Sequence, residues 1–175
     1  MLDISDKHEF EKYLPPVIEY LSKKRNWNLR LAKKKQGQQT LLEHVLVECD
    51  AMNNLINLLD LEYSFSNEEK FSLFFAIIAH DSNKETQDFQ AYLNQEKNFE
   101  ICMNEELSRE IIPELSELLK VDIKIEEVVA SIITHMARER KSPLTALRLV
   151  ENRAKEEISN RWKKLATLVW FTDDI

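Results

Sequence analysis

Apolar residues recur at intervals of three and four positions along most of this chain, which is the pattern of helices that bury one face. The clearest stripe predicts a helix over 40–60. The nearly continuous apolar run FSLFFAIIA at 71–79 predicts a helix that is buried all round and lies at the centre of the domain. Further helices are predicted over 6–24, 83–96, 104–119, 125–138, 143–153 and 155–175.

Local sequence signals set several of the boundaries. Ser66 with Glu69 has the spacing of a capping box, which opens the apolar helix. Ser82 with Glu85 has the same spacing and predicts that this helix ends just before it. Pro113 predicts a break within the helix over 104–119. Since no alternating strand pattern is present, the expected fold is all-α, a compact multi-helix bundle.

Composition narrows the class of protein. The chain has 175 residues, of which 43% are hydrophobic, so residues 1–175 are expected to form a single soluble domain. Gly37 is the one glycine, which excludes a Gly-rich phosphate loop and a dinucleotide-binding fingerprint. Cys49 and Cys102 lack paired spacing and predict free thiols in a reducing compartment. No apolar run approaches the roughly 20 residues of a membrane span. We therefore expect a cytoplasmic protein without a membrane partner.

Positive charge is concentrated in one segment, although the net charge is −7. No acidic residue occurs between Glu19 and Glu43. Spread positive charge beside an aromatic ring is typical of a surface that follows a nucleic-acid backbone, and a solvated helix face is the alternative interpretation. The candidate nucleic-acid residues are Lys23, Lys24, Arg25, Trp27, Arg30, Lys33, Lys34 and Lys35.

Several histidines and aspartates occupy positions where the helical pattern calls for apolar residues. His80 and Asp81 end the apolar helix, and His44 flanks the stripe of the helix over 40–60. His135 and Asp173 lie on the inner faces of later helices. One such residue is usually a hydrogen-bonded core residue, because an unpartnered buried polar group costs several kcal/mol. Together they predict a shared divalent metal, since carboxylates and neutral imidazoles are its ligands.

The ordered set of His44, His80-Asp81 and Asp173 resembles the H…HD…D pattern of the HD superfamily of metal-dependent phosphohydrolases. The likeness runs from about residue 38 to 175 and includes Lys84 in the segment HDSNK. Within that superfamily, QGQQTLLEHVL, HDSNK and ITHMARER are similar to the N-terminal HD nuclease domain of the large subunit of type I-D CRISPR effector complexes. Ser82 departs from the apolar residue common there. The likeness implies that the chain is the N-terminal part of a longer protein.

The resemblance also implies a metal site and its ligands. The ion is expected to be Mn, Fe, Co, Ni or Zn, held at one tight site. Because imidazoles must be neutral to bind it, binding is expected to weaken below about pH 6. A second, weaker metal would need carboxylate or water ligands, since His135 is the one additional histidine available. The implied ligands of the tight site are His44, His80, Asp81 and Asp173.

Three further residues are candidates for catalysis. Lys84 and Arg138 are placed to stabilise negative charge on phosphoryl oxygens. His135 is expected to contact the scissile phosphate or a weak second ion, and not the tightly held metal. The alternatives are a helix-start salt bridge for Lys84 and plain surface charge for Arg138.

Three functions remain open. The resemblance implies a nuclease domain that hydrolyses phosphodiester bonds of single-stranded DNA in CRISPR interference, an antiviral defence. Its partners would be single-stranded DNA, other effector subunits and the guide RNA complex. The second is a nucleotide phosphohydrolase, and the third a non-catalytic HD module in a larger complex. The basic segment with Trp27 favours a polymer over a mononucleotide.

Overall fold

The computed structural model describes residues 9–33, 38–58, 66–94, 106–138, 165–169 and 172. These residues are mainly helical, which confirms the all-α prediction. The helices are α1 Leu14–Lys23, α2 Leu41–Leu58, α3 Asn67–Ala79, α4 Gln87–Leu93, α5 Glu106–Leu119 and α6 Ile125–Arg138, and short 3-10 helices span Glu9–Lys12 and Ser82–Glu85. Residues 165–169 and 172 are also helical.

Helix α3 lies at the centre of the described fold, as the apolar run predicts. The capping box is formed at its start: the Ser66 hydroxyl accepts a hydrogen bond from the Glu69 backbone, and the Glu69 carboxylate accepts one from the Ser66 backbone at 2.8 Å. Every side chain from Phe71 to His80 is buried, and the helix packs against α2, α5 and α6. Because burial of each large apolar side chain contributes about 1.5–3 kcal/mol, α3 anchors the helices around it.

A small antiparallel hairpin precedes α2. Its strands are β1 Leu31–Lys33 and β2 Gln39–Thr40, with Leu31 opposite Thr40 and Lys33 opposite Gln39. The hairpin was not predicted, because strands of two and three residues are too short to show an alternating pattern. It packs against the start of α2 and against α4.

The segment after α3 differs from the prediction. Ser82–Glu85 forms a 3-10 helix, and Thr86 caps α4 by accepting a hydrogen bond from the Phe89 backbone at 3.2 Å. The second predicted capping box is therefore wrong. The Ser82 hydroxyl is buried and instead contacts the Ser108 hydroxyl of α5 at 3.0 Å.

Helix α5 continues through Pro113, so the predicted break is wrong. The buried apolar face on both sides of this residue, with Ile111, Ile112 and Leu115, holds the helix despite the backbone hydrogen bond that a proline lacks. Helix α6 has its predicted bounds. The predicted helix over 143–153 lies outside the described residues. Among the described helices, none combines the length and apolar character needed to cross a bilayer.

Candidate metal centre

Helices α2 and α3 bring four potential metal ligands into one buried group. His44 and Glu48 lie one turn apart on α2, His80 is the C-cap of α3, and Asp81 follows it. One ligand atom from each residue lies within 4.8 Å of the others. We call these four residues the ligand cluster. Three of the four predicted ligands are thus brought together, with Glu48 in addition.

The distances within the ligand cluster suit a single ion. The Nε2 atom of His44 lies 2.9 Å from Glu48 Oε1 and 3.0 Å from Asp81 Oδ2. The Nε2 atom of His80 lies 3.6 Å from Glu48 Oε1 and 3.6 Å from Asp81 Oδ1. Bonds of about 2.1 Å to one metal place neighbouring ligand atoms roughly 3.0–3.4 Å apart. Small adjustments of these side chains would therefore complete a coordination shell.

The orientation of His80 favours metal binding. Its Nδ1 atom lies 2.7 Å from the backbone carbonyl oxygen of Ile77. Because a carbonyl oxygen only accepts hydrogen bonds, Nδ1 carries the proton and donates. In the neutral imidazole, Nε2 then presents its lone pair to the ligand cluster. Histidine ligands of metals commonly have the same arrangement, with the other ring nitrogen bound to a carbonyl or carboxylate.

Glu48 is the residue that sequence reasoning missed. Its side chain is buried, and apart from the two histidines no donor in the described part of the chain reaches its carboxylate oxygens. A buried carboxylate with so few donors is costly unless a cation neutralises it. The signal was present in the sequence: Glu48 follows His44 by four residues, which puts both on one helix face.

The ligand cluster carries more negative than positive charge. Glu48 and Asp81 supply two carboxylates, and Lys84 supplies one cation through an ion pair with Asp81 Oδ2. With both imidazoles neutral, one negative charge remains uncompensated. A divalent cation removes that imbalance and takes up the imidazole lone pairs as well. The donor set therefore fits a divalent metal.

When no metal is bound, a proton on His44 supplies part of the positive charge that the ligand cluster needs. Burial disfavours a charged imidazole, but hydrogen bonds to Asp81 and Glu48 outweigh burial and raise the pKa of His44 to about 9. Burial also opposes ionisation of Asp81, yet Lys84, His80 and His44 hold the pKa of its carboxyl well below the usual range. A metal must therefore displace a proton from His44 at neutral pH. We therefore expect metal binding to begin to weaken at a pH higher than the value of about 6 that is expected for an ordinary histidine.

Lys84 lies at the edge of the ligand cluster. Its side chain is 18% exposed, and its ammonium group pairs with Asp81, three residues earlier. The salt-bridge alternative for this residue is thus present in the structure. The same contact sets its positive charge beside the ligand cluster.

The side chains of three other predicted site residues lie outside the described part of the chain. His135 and Arg138 belong to the C-terminal half of α6, which packs against α3, but their side chains lie outside the described part. Asp173 lies outside the described residues. The helical residues that precede it, 165–169 and 172, pack largely into the core, and the Thr172 hydroxyl donates to the Val169 carbonyl at 2.9 Å.

The basic segment is largely folded into the domain. Trp27 is 0% exposed, and its indole N–H donates to Glu85 at 2.5 Å. The Arg25 side chain is 8% exposed and pairs with Glu85 and Glu110. The prediction of Trp27 as a nucleic-acid residue is wrong for the folded domain, because an indole inside the core cannot contact a nucleic acid.

The lysines of this segment are more accessible. Lys23 and Lys24 are exposed, but they pair with Glu19 and Glu114, each at 2.6 Å. Lys33 in β1 is exposed and Arg30 is half-buried, whereas Lys34 and Lys35 lie outside the described residues.

Comparisons of the chain with protein-family models, with curated proteins and with solved structures find no match. The ligand cluster must therefore be interpreted from its own geometry and chemistry.

Proposed function

We propose that this protein is a divalent-metal-dependent phosphohydrolase of the HD type, with the ligand cluster as its metal centre. The observation that carries the proposal is the convergence of two imidazoles and two carboxylates in one group, with His44, Glu48 and His80 buried. The resemblance of His44, His80-Asp81 and Asp173 to the HD pattern supports it. Asp173 is proposed as a further ligand from the last helix.

Each side chain of the centre has its own part in this proposal. His80 offers Nε2 to the metal because Ile77 holds the proton on Nδ1. Glu48 and Asp81 balance the charge of the ion. When bound, a divalent metal supplies Lewis-acid polarisation of a phosphoryl oxygen and makes hydroxide available at neutral pH. Lys84 then stabilises the negative charge that develops on the phosphoryl oxygens.

We assign single-stranded DNA in CRISPR interference as the substrate, with effector subunits and a guide RNA complex as partners, because of the resemblance in QGQQTLLEHVL, HDSNK and ITHMARER. The burial of Trp27 and Arg25 removes part of the support that the basic segment gave to a polymer. That burial favours a free nucleotide as the second candidate substrate, since a mononucleotide needs no extended basic surface.

A substrate panel tests the proposal. The purified protein is incubated with labelled single-stranded DNA, duplex DNA, RNA and free nucleotides under Mn²⁺, Fe²⁺, Co²⁺, Ni²⁺ or Zn²⁺, with His80→Ala as the control. We expect cleavage of single-stranded DNA, much poorer cleavage of duplex DNA, and no activity in the variant. Turnover of nucleotides without polymer cleavage would support the second candidate. A protein that binds metal but hydrolyses nothing in the panel would be a non-catalytic module.

A further inference from the structure

The Glu85 carboxylate is held by three donors, all from the segment after α1. Arg25 Nε donates to Oε2 at 3.1 Å, and Arg25 Nη2 donates to Oε1. The indole N–H of Trp27 donates to Oε2 at 2.5 Å. Arg25 also donates to Glu110 of α5. A two-pronged contact between a guanidinium and a carboxylate fixes direction as well as distance. We call Arg25, Trp27 and Glu85 the clamp.

The clamp holds the far end of the 3-10 helix that begins next to the ligand Asp81. This helix, Ser82–Glu85, contains Lys84, whose backbone N–H donates to the Asp81 carbonyl at 2.8 Å. A 3-10 helix of four residues has little stability of its own. Its conformation, and with it the placement of Asp81 and Lys84, therefore depends on contacts with the rest of the fold.

Two neutral contacts assist the clamp. At the start of the 3-10 helix, Ser82 contacts the Ser108 hydroxyl at 3.0 Å, and Ser108 donates to the Ala79 carbonyl at 3.2 Å. Near its end, the Gln90 amide donates to the Lys84 carbonyl at 2.6 Å. Because these contacts remain when the clamp is altered, a change at Glu85 should shift the 3-10 helix without unfolding it.

We propose that the clamp is a positioning device for the metal centre. It fixes the 3-10 helix so that Asp81 and Lys84 stay aligned with the histidines of the ligand cluster. A buried ion pair such as Arg25–Glu85 contributes little net stability compared with apolar residues of similar size, so stability alone does not account for it. The inference rests on the metal centre of the proposed function and gives Arg25 and Trp27 a role other than contact with nucleic acid.

The test is metal affinity, measured by titrating the whole chain with Co²⁺ and following its visible absorption. Glu85→Gln keeps the side-chain volume but removes the charge that the guanidinium binds. We expect Co²⁺ to bind about 10- to 100-fold more weakly, the range typical of residues that orient metal ligands, with an altered absorption band. Trp27→Phe removes one donor and leaves a smaller aromatic ring in the core, so we expect a smaller loss of about threefold.

Two controls separate positioning from stability. Glu19→Gln makes the same chemical change at an exposed carboxylate, which pairs with Lys23 of the same helix at 2.6 Å. Val17→Ala removes buried volume in α1 and lowers the melting temperature. Both should bind Co²⁺ like the unmodified protein.

The clamp proposal is overturned if Glu85→Gln binds Co²⁺ no more weakly than the controls. If Glu85→Gln does not fold, Trp27→Phe is compared with the controls in its place. The proposal is also overturned if the unmodified protein binds no Co²⁺. Weakened Co²⁺ binding in the clamp variants, together with an unmodified protein that hydrolyses no substrate, would uphold the clamp and refute the proposed function.

Discussion

Two groups of charged residues flank the 3-10 helix Ser82–Glu85, and they differ in which donors face their carboxylates. In the clamp and its neighbour Glu110, carboxylate oxygens face the N–H donors of Arg25 and Trp27. In the ligand cluster, the oxygens of Glu48 and Asp81 surround two imidazole nitrogens, and one lysine compensates a single charge. The first group is satisfied by its own residues, whereas the second needs a proton or a metal. Buried carboxylate oxygens that face imidazole nitrogens in place of fixed N–H donors, and not burial alone, identify the candidate functional site.

The pKa shifts of Arg25 and His44 reflect the same difference between the two groups. Burial opposes the charge on Arg25, but hydrogen bonds to Glu85 and Glu110 outweigh it and raise the pKa of the guanidinium above its already high value. Arg25 is therefore charged at every pH at which the protein is folded. The pKa of His44 is raised only to about 9, so its proton can be exchanged for a metal near neutral pH.

The largest effect should come from removing a ligand. His80→Ala or Asp81→Ala deletes one of four described ligands, roughly a quarter of the approximately 10–16 kcal/mol that a tightly held metal contributes. We therefore expect metal affinity to fall on the order of 100- to 1,000-fold. Elemental analysis after dialysis measures the bound metal, and far-ultraviolet circular dichroism checks the helices. Metal content equal to that of the unmodified protein would refute the site.

The sequence predicted the parts of the fold that depend on long, regular patterns. The centre of α3, the bounds of α6 and the meeting of His44 with His80 and Asp81 follow from apolar periodicity and from polar residues that interrupt it. Short-range structure was harder to predict, because the two-stranded hairpin and the 3-10 helix are fixed by tertiary contacts.

The same limit explains the error at Trp27. The local sequence around a tryptophan among cations is the same whether its ring is exposed or buried. The burial of Trp27 involves a contact with Glu85, 58 residues further along the chain. Glu48, by contrast, could have been found from its spacing to His44, since positions four apart share a helix face.

His135 tests whether the metal centre is distinct from the residues that contact substrate. It is the one histidine of the described helices that we leave outside the tight metal site. His135→Ala should keep about one tightly bound metal per chain yet lose on the order of 10- to 1,000-fold in hydrolysis rate, as expected when one transition-state contact is removed. Rates at saturating metal and substrate, together with metal content, provide the measurement. Loss of the tight metal would instead make His135 a primary ligand.

Glu48→Gln tests the ligand that lies outside the HD pattern. The amide keeps the size and one acceptor oxygen but loses the charge, so we expect about 10- to 100-fold weaker metal binding. Asp50→Asn is the matched control, because it makes the same chemical change at an exposed position on α2. If both variants bind metal equally well, Glu48 is a hydrogen-bonding neighbour of His44 and not a ligand.

The pH dependence of metal binding should reflect His44. In the metal-free protein this imidazole is protonated below about pH 9, and each metal bound releases its proton. The logarithm of the apparent affinity should therefore rise by about one per pH unit between roughly pH 7 and 8.5. Calorimetry in buffers of different ionisation enthalpy counts the released proton. An affinity that levels off above about pH 6.5 would show that His44 titrates as an ordinary histidine.

The raised pKa of His44 has the opposite consequence for the metal-free fold. Because the folded pKa of about 9 exceeds the unfolded value, His44 stabilises the metal-free protein fully below about pH 6.5, and this contribution is lost as the pH rises through 9. Thermal unfolding in the presence of a chelator should therefore show a falling melting temperature over this interval. Added metal should reverse the trend, because a ligand that binds the folded state alone stabilises it.

The smallest effect concerns the basic segment, whose two halves the structure separates. Arg25 and Trp27 belong to the clamp, whereas Lys33 is exposed and is followed in the sequence by Lys34 and Lys35. Neutralising these three lysines together should weaken binding of single-stranded DNA and lower the slope of log affinity against log salt by about 0.7 for each lost phosphate contact. The rate at saturating DNA should stay the same, because none of these residues belongs to the ligand cluster. Neutralising the exposed Lys124, which directly precedes α6, serves as the control. An unchanged slope would mean that the lysine run is only a solvated surface, and a free nucleotide would then be the better substrate hypothesis.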